Sequence, residues 1–582
     1  MVNQILSLTD FNLFTEFFLG VTLLYSIVFG SLFSRAKKLP LIQNVSVNLN
    51  VLILILATWV LVTDRYCFTS NVVSFSCKIV SDECALFFKI LILIFSIVCI
   101  VITKQYLINQ KINNFEYTVI ILFAVLGLLL LSSANDFITA YLAIELQSLA
   151  FYILASFKKN SKYSVDAGLK YFLIGSLASS LFLFGSSMIY GLLGCTNFQD
   201  CYYFISFCPD PLCLKELDYE YLQCIDYLEC VNNEDSDLFE SVPMFLWWWL
   251  MCSPNQLLIY MTFFLTFEQS EIFFVSIVHD VIHKSEWLMS NEIWFRFDTN
   301  VLEFALIFIF VSLFLKLALA PVHLWAPDVY ENSPTSSTVF FSTLPKLGVF
   351  VLLIRLFYYG FYGIFDSFRS YFILIAILSI ITGAFVGLEQ RKLKSLLVYS
   401  SISHMGYVIL AFSTGLKDSI FIILSYLLIY FCSSFCIWSI FLATRLKHSY
   451  RKFNKDLADV VLLKKSNFML ANCFMFALFS LAGFPPFIGF LMKMNIFLVV
   501  IEASMYYVAF VSIIISVIST FYYLRIVKIV YFENVKIGKL YYPIEIQTTV
   551  IVTFLSYFII FLFFYPTILY ILPLQINLIK PF

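Results

Sequence analysis

Apolar runs long enough to cross a bilayer recur along nearly the whole chain, and nothing else in the sequence restricts its fold as severely. A helix crosses a hydrocarbon layer of roughly 30 Å with about 20 residues. Reading the runs between charged stretches gives fourteen candidate spans: 11–33, 45–63, 83–103, 117–133, 135–156, 168–193, 301–325, 336–356, 371–388, 396–413, 417–442, 467–498, 504–524 and 547–572. The 582 residues are 61% hydrophobic and 13% charged, which excludes a soluble globule, where about 25% are charged. A membrane barrel is excluded too, because its strands alternate polarity over roughly ten residues. The predicted fold class is therefore all-α, a polytopic membrane protein of about 14 transmembrane helices. The run 11–33 is expected to be the first span, since Arg35, Lys37 and Lys38 follow it, whereas a cleaved leader carries its positive charge in front.

Charge placement tests that count. The loops at 34–38, 104–115, 157–162, 389–394, 443–465 and 525–539 are rich in Lys and Arg, and fourteen spans put all of them on one face, as the positive-inside rule requires. Both chain ends then fall on the other face. The run 467–498 would be about 48 Å long as one straight helix, too long for an upright crossing. Its Gly483, Pro485, Pro486 and Gly489 predict a break, giving a discontinuous helix or two tight spans.

One stretch departs from this rhythm. Residues 195–300 carry Lys215, Lys284 and Arg296 against seventeen Asp and Glu, and they hold Cys195, Cys201, Cys208, Cys213, Cys224, Cys230 and Cys252, half of the 14 cysteines. An acid excess of this size does not belong in lipid, so the segment is expected to form an extramembrane cap opposite the positive face. Its apolar piece 243–264, with Trp247, Trp248 and Trp249, reads as interfacial, as folded within the insert, or as one of a pair of crossings; a single crossing would invert every later loop. The cysteine spacings match no zinc signature. Disulfides on an oxidising side and free thiols both remain open, and the six cysteines from Cys195 to Cys230 allow fifteen pairings.

The informative residues are those a membrane helix ought to avoid. Glu145 lies midway along 135–156, Lys170 near the start of 168–193, Lys316 and His323 within 301–325, Lys346 at the centre of 336–356, His404 midway along 396–413, and Lys493 in the second half of 467–498. A charge in the bilayer centre costs at least about 3 kcal/mol, so such groups must face protein or water. Removal from water disfavours the charged form of a lysine or glutamate, which lets either group exchange a proton nearer neutrality. A row of them, joined by water, can pass protons. Bland readings stand beside this one: Lys170 can snorkel beside Asp166, Glu145 and Lys346 can be structural ion-pair members, and His404 can be a neutral, hydrogen-bonded core histidine. Lys316 and Lys493 are sharper, since each lies beside a helix break, at Pro321 and at Pro485–Pro486. These two lysine-bearing broken spans lie five spans apart, as in transporters built from repeats. The residues alone point to ion or proton translocation through a buried polar axis.

The segment KLALAPVHLWAPDVYENSPT at 316–335 is long and specific. With it stand AIELQSLAFYILASF around Glu145, AGLKYFLIGSLASS around Lys170, STLPKLGVF around Lys346, LLVYSSISHMGYV around His404 and LAGFPPFIGFLMK ending at Lys493. Together they resemble the antiporter-like membrane subunits of respiratory complex I, and among these the N-type branch, which reads APDVY after the tryptophan and ends the second broken helix with lysine. The likeness covers roughly 115–195 and 300–530. It divides the chain into N-terminal helices (1–115), a first part of an antiporter-like core (116–194), the acidic insert (195–300), the rest of the core (301–530), and a C-terminal loop and helix (531–582).

What the resemblance implies is a proton-translocating subunit with two discontinuous helices in an antiporter-like repeat. Glu145 would couple to Lys316, Lys170 would be a further lysine of the sixth span, His323, Lys346 and His404 would continue the relay, and Lys493 would end it toward the far side. The subunit itself would bind no cofactor. NADH, FMN, iron–sulfur clusters and ubiquinone would be used by the whole complex, in keeping with the lack of a dinucleotide-binding or P-loop glycine pattern. Expected partners are the other membrane and accessory subunits of complex I and membrane lipids, cardiolipin among them; nucleic acid is not expected. The expected location is the mitochondrial inner membrane, because the excess of 67 Phe and 35 Tyr is typical of AT-biased organelle genes, with the insert and both termini on the intermembrane-space side. A cation/proton antiporter subunit and a non-pumping structural subunit are the alternatives.

Overall fold

The computed structural model describes residues 13–34, 42–67, 72–75, 78–110, 114–206, 299–444, 457–461, 463–533 and 544–569. The segment 243–264, most of the loop 34–38, and Cys208, Cys213, Cys224, Cys230 and Cys252 lie outside these residues. Met1–Ile205 with Leu302–Phe582 form one compact unit, and Ser206–Val301 a second. The first unit carries every candidate residue of the axis.

In chain order the helices are α1 (Phe14–Ser34), α2 (Ile42–Cys67), α3 (Glu83–Asn109), α4 (Glu116–Ser133), α5 (Phe137–Ser156), α6 (Lys162–Leu193), α7 (Phe198–Ser206), α8 (Thr299–Leu317), α9 (Trp325–Asn332), α10 (Thr335–Ile354), α11 (Phe365–Glu389), α12 (Leu393–Phe412), α13 (Lys417–Ala443), α14 (Leu463–Ser466), α15 (Phe468–Ala482), α16 (Ile488–Glu502), α17 (Tyr506–Tyr531) and α18 (Ile546–Phe564). A small antiparallel hairpin, β1 (Val72–Ser74) with β2 (Ile79–Ser81), precedes α3. Lipid offers no partner to a backbone N–H or C=O, so each span must satisfy its own, which a helix does. Among the described residues, thirteen helices are long and apolar enough to cross a membrane. The broken pair α15 and α16 accounts for the expected run 467–498, so the described residues hold a helix or helix pair for each of the fourteen expected spans.

Three helices are enclosed almost completely, Thr335–Gly360, Leu393–Phe412 and Asp418–Ala443, with 94%, 94% and 89% of the residues in an 18-residue apolar window of each buried. Their sequences explain why. The first turns of α10 read TSSTVFFST, and Thr335, Ser336, Ser337, Thr338, Ser342 and Thr343 are all buried. Hydroxyls of this density are tolerated inside a bundle, where Ser337 donates to Leu154 O at 2.8 Å and others bond their own helix. Helices α1, α6, α17 and α18 form the outside, with large side chains such as Phe17, Leu173, Phe510 and Phe554 exposed.

Contacts gather the positive loops at one end of the bundle. Lys158 donates to Gln110 at 3.1 Å, Leu457 N donates to Arg391 O at 3.1 Å, and Arg525 donates to Leu388 O at 2.8 Å and to Gln390 O. Lys392 pairs with Glu331. Residues 104–110 thus meet 157–162, 389–394 meet Leu457 and Arg525, and Tyr106 and Lys394 both reach the turn at Ser333–Thr335, so these described parts of the positive loops lie near one end. At the opposite end Asn135 N donates to Lys78 O at 2.9 Å, Asp136 bridges Asn197, and Arg355 pairs with Asp82 at 2.6 Å. Residues 195–206 belong to this packed end: Phe198 is fully buried, with its ring 4.9 Å from that of Phe137.

Candidate functional site

The two helix breaks build the site. After α8, Ala318 takes a left-handed φ of 58° and the chain turns through 318–324 before α9. The indole N–H of Trp325 donates at 3.1 Å to Leu315 O, which also accepts from Ala318 N at 3.2 Å, tying α9 to the last turn before the break. After α15, Gly483 caps the helix at φ 82°, and Lys493, on the next half-helix, donates to Ala482 O at 2.8 Å. A Cβ at Gly489 would lie 1.8 Å from Ser480 O, so the half-helices approach as closely as they do only because that position is glycine.

Lys316 ends α8 beside the first break. Glu145, on α5, lies within electrostatic reach of it, and Ser148 Oγ donates to Glu145 Oε2 at 3.4 Å. A cavity of about 30 Å³ is lined by Lys316, Gln147, Ser148, Tyr152, Trp325 and Pro345, among others. A water needs roughly 10–15 Å³ by this measure, so water fits between the Glu145 helix, Lys316 and α10. Lys346, next to Pro345, is 3% exposed. Its Nζ has no hydrogen-bond partner among the described residues; it faces the Tyr430 ring, 5.7 Å from the centroid.

His404 stands between the lysines of α10 and α16, within electrostatic reach of both Lys346 and Lys493. Its Nδ1 is 2.6 Å from the Tyr426 hydroxyl and its Nε2 is 3.1 Å from the Tyr523 hydroxyl. A smaller cavity of about 10 Å³ is lined by His404, Tyr426, Tyr430, Ser480 and Lys493, among others. Lys493 Nζ also lies 5.6 Å from the Tyr407 ring centroid. Glu145 and Lys316 thus lie together beside the first break, and His404 lies within electrostatic reach of the lysines of α10 and α16.

Two candidates stand apart from these groups. Lys170 is half exposed and forms its ion pair with Asp328 at 2.7 Å, rather than standing alone with Asp166 on its own helix. Asp328 sits one turn from Glu331, the partner of Lys392, so both pairs tie the short α9 to α6 and α12. His323 lies in the first break, 8% exposed, with no hydrogen-bond partner at Nδ1 among the described residues; its ring is 6.4 Å from that of Tyr399, and no hydrogen bond joins it to Lys346.

Residue-by-residue reading of the spans misses several polar groups. Tyr426 and Tyr523 clamp His404 from 22 and 119 positions away, and tyrosines are too frequent here to signal anything singly. Lys89 is 1% exposed and pairs with Glu16 at 2.5 Å between α3 and α1. Arg355, 2% exposed in side chain, reaches Asp82 and donates through Nε to Ser132 O at 3.1 Å. Lys89, Arg355 and Glu16 were visible as charges inside predicted spans; which of them pair was not.

A bundle with two helices each broken beside a lysine that lines an internal cavity is the architecture of an antiporter-like membrane subunit. The family model for NADH:quinone oxidoreductase/Mrp antiporter transmembrane proteins matches residues 134–214 and 256–519, and the chain belongs to that family. The unmatched 215–255 falls inside the acidic segment. NADH-ubiquinone oxidoreductase chain 2 of Marchantia polymorpha is 32% identical over 569 residues, 97% of this chain and 98% of the relative. NADH-quinone oxidoreductase subunit N of Pelagibacter ubique is 30% identical, covering 90% and 89%. Among solved structures, a chain of respiratory complex I from Thermus thermophilus shares the fold at TM-score 0.66 and 22% identity, with 96% of this chain and 98% of that chain covered. A chain of the Mrp complex of Dietzia sp. does so at TM-score 0.67 and 16% identity, covering 97% and 96%.

Proposed function

We propose that this chain is a proton-translocating membrane-arm subunit of respiratory complex I, coupling electron transfer from NADH to ubiquinone to proton pumping along Glu145, Lys316, Lys346, His404 and Lys493. The observation that carries the proposal is Lys346: a buried ammonium with no hydrogen-bond partner among the described residues, set between the Lys316 cavity and His404. A lone charge in such a place costs several kcal/mol, which a structural element would shed; a group that alternately takes up and releases a proton requires it. Gln147 Oε1 and Ser480 Oγ, also without hydrogen-bond partners, line the two cavities, and water there would satisfy them and join the titratable groups.

In this reading Glu145 sets the charge on Lys316, the proton passes by water to Lys346 and His404, and Lys493 delivers it to the far side. The tyrosines at His404 position the ring and carry a hydroxyl on each nitrogen, so the imidazole can receive a proton on one side and release it on the other. Lys170 and Asp328 fix α9 and thereby the first break. The redox groups belong to other subunits, which together with lipid, cardiolipin included, are the partners. The location is the mitochondrial inner membrane, with the positive loops toward the matrix and the insert and both termini toward the intermembrane space. The relatives named for NADH oxidoreductases, one of them covering nearly the full chain, favour this over cation/proton antiport.

Lys316→Ala tests the proposal. The assembled complex is expected to oxidise NADH with an artificial acceptor at the normal rate while ubiquinone-coupled pumping falls. Unchanged coupled pumping would reject the assignment, and cation-dependent proton exchange in vesicles holding only this chain would favour the antiporter.

A further inference from the structure

Where α6 ends, the chain is held in a way that brings two sulfurs together. Gly194, at φ 70°, turns the chain out of the helix and its N–H returns to Tyr190 O. Phe137 N then donates to Thr196 O at 3.1 Å and Phe198 N to Asn135 O at 3.0 Å, so the strand-like piece 195–197 is pinned to the start of α5. Helix α7 begins at once, Cys201 N donates to Asn197 O at 3.1 Å, and the Cys201 side chain is fully buried. Cys195 Sγ lies 3.4 Å from Cys201 Sγ, with Cys195 part exposed. A disulfide needs about 2.05 Å between sulfurs, so a modest movement of the loop residue suffices.

We propose that Cys195 and Cys201 are a redox pair that closes to an intramolecular disulfide by exchange with a glutathione-type disulfide, stapling the end of α6 to α7. Roles divide between the two. The hydrogen bond from Cys201 holds the Cys195 thiol below its ordinary value, which makes the part-exposed residue the nucleophile. Cys201 is held above its ordinary value by that same bond and by burial, with Asp200 and Asp136 also opposing a thiolate there. The Cys195 thiolate attacks one sulfur of the donor disulfide, the donor bond breaks, and one donor thiolate leaves. Cys201 then gives up its proton and attacks Cys195 Sγ, releasing the second donor thiolate. Two protein thiols are oxidised to one disulfide, and one donor disulfide is reduced to two thiols.

The pair lies at the end of the bundle away from the positive loops, the face that an oxidising compartment would border. Closing it fixes the connection into the acidic segment. It also fixes the piece that pairs with Asn135 and Phe137, at the head of the helix bearing Glu145. Five cysteines of 195–300 then remain, an odd number, so not all of them can pair within the segment.

The test is thiol mapping of the whole complex. Membranes are lysed in iodoacetamide, and this chain is digested without reduction. The peptide bearing Cys195 and Cys201 is expected to be unalkylated and two hydrogens lighter, both residues taking label only after reduction. Alkylation of both residues before reduction, or linkage of either to Cys208, Cys213, Cys224, Cys230 or Cys252, would overturn the proposal. After reduction, oxidised glutathione should restore the protected pair without remaining on the protein, whereas in Cys201→Ser it should stay on Cys195. Glutathione retained on Cys195 when Cys201 is present would contradict the pairing.

Discussion

Two buried lysines of this chain obey opposite rules, and the difference is measurable. Lys89 has Glu16 at 2.5 Å, so Lys89→Met leaves a carboxylate buried without its partner and is expected to destabilise by about 3–5 kcal/mol. Lys346 has no such partner, so Lys346→Met removes an uncompensated charge and is expected to leave the melting temperature of the assembled complex unchanged or raised. Thermal melts of both variants check the pair of signs; a large loss of stability in Lys346→Met would make it a structural ion-pair member. At His404, Tyr426→Phe deletes the 2.6 Å contact without changing the ring's volume. Loss of a bond to a buried polar group costs about 1–3 kcal/mol, and coupled turnover is expected to fall by roughly fivefold at the lower end of that range. Reading charges against apolar runs singled out Glu145, Lys316, Lys346, His404 and Lys493 as candidates, because a polar group stands out in lipid-like sequence. It could not find what each one meets: the partner of Lys170 is 158 positions away at Asp328, while the chain offered Asp166 one turn before it.

The two breaks were more legible than the contacts around them. Gly483, Pro485, Pro486 and Gly489 in a run too long for one crossing predict the interruption that separates α15 from α16, and Pro321 the one after α8. Backbone rules are local, so local sequence carries them. The enclosure of α10 was legible only in hindsight, through its run of hydroxyl residues. At this scale Gly489→Ala is the informative change. Its Cβ would fall on Ser480 O, and pushing the half-helices apart should cost about 1–3 kcal/mol and draw Lys493 from the Ala482 carbonyl. The complex is expected to assemble with reduced pumping, measured as proton uptake per NADH; pumping equal to the unaltered protein would show that the close approach of the half-helices does not matter to Lys493.

For the molecule as a whole, charge asymmetry and span parity agree with the contacts that tie the positive loops to one end. Hydrophobic pattern alone, which is nearly uniform, could not order the helices around α10, α12 and α13; that arrangement follows from which spans carry groups that lipid will not accept. The central claim is that a proton crosses the molecule through that interior. Its most direct test is the ratio of protons pumped to electrons transferred, measured in vesicles reconstituted with complex carrying Lys346→Met. A lowered ratio is predicted, with NADH oxidation by an artificial acceptor unchanged, and an unaltered ratio in fully assembled complex would contradict the account.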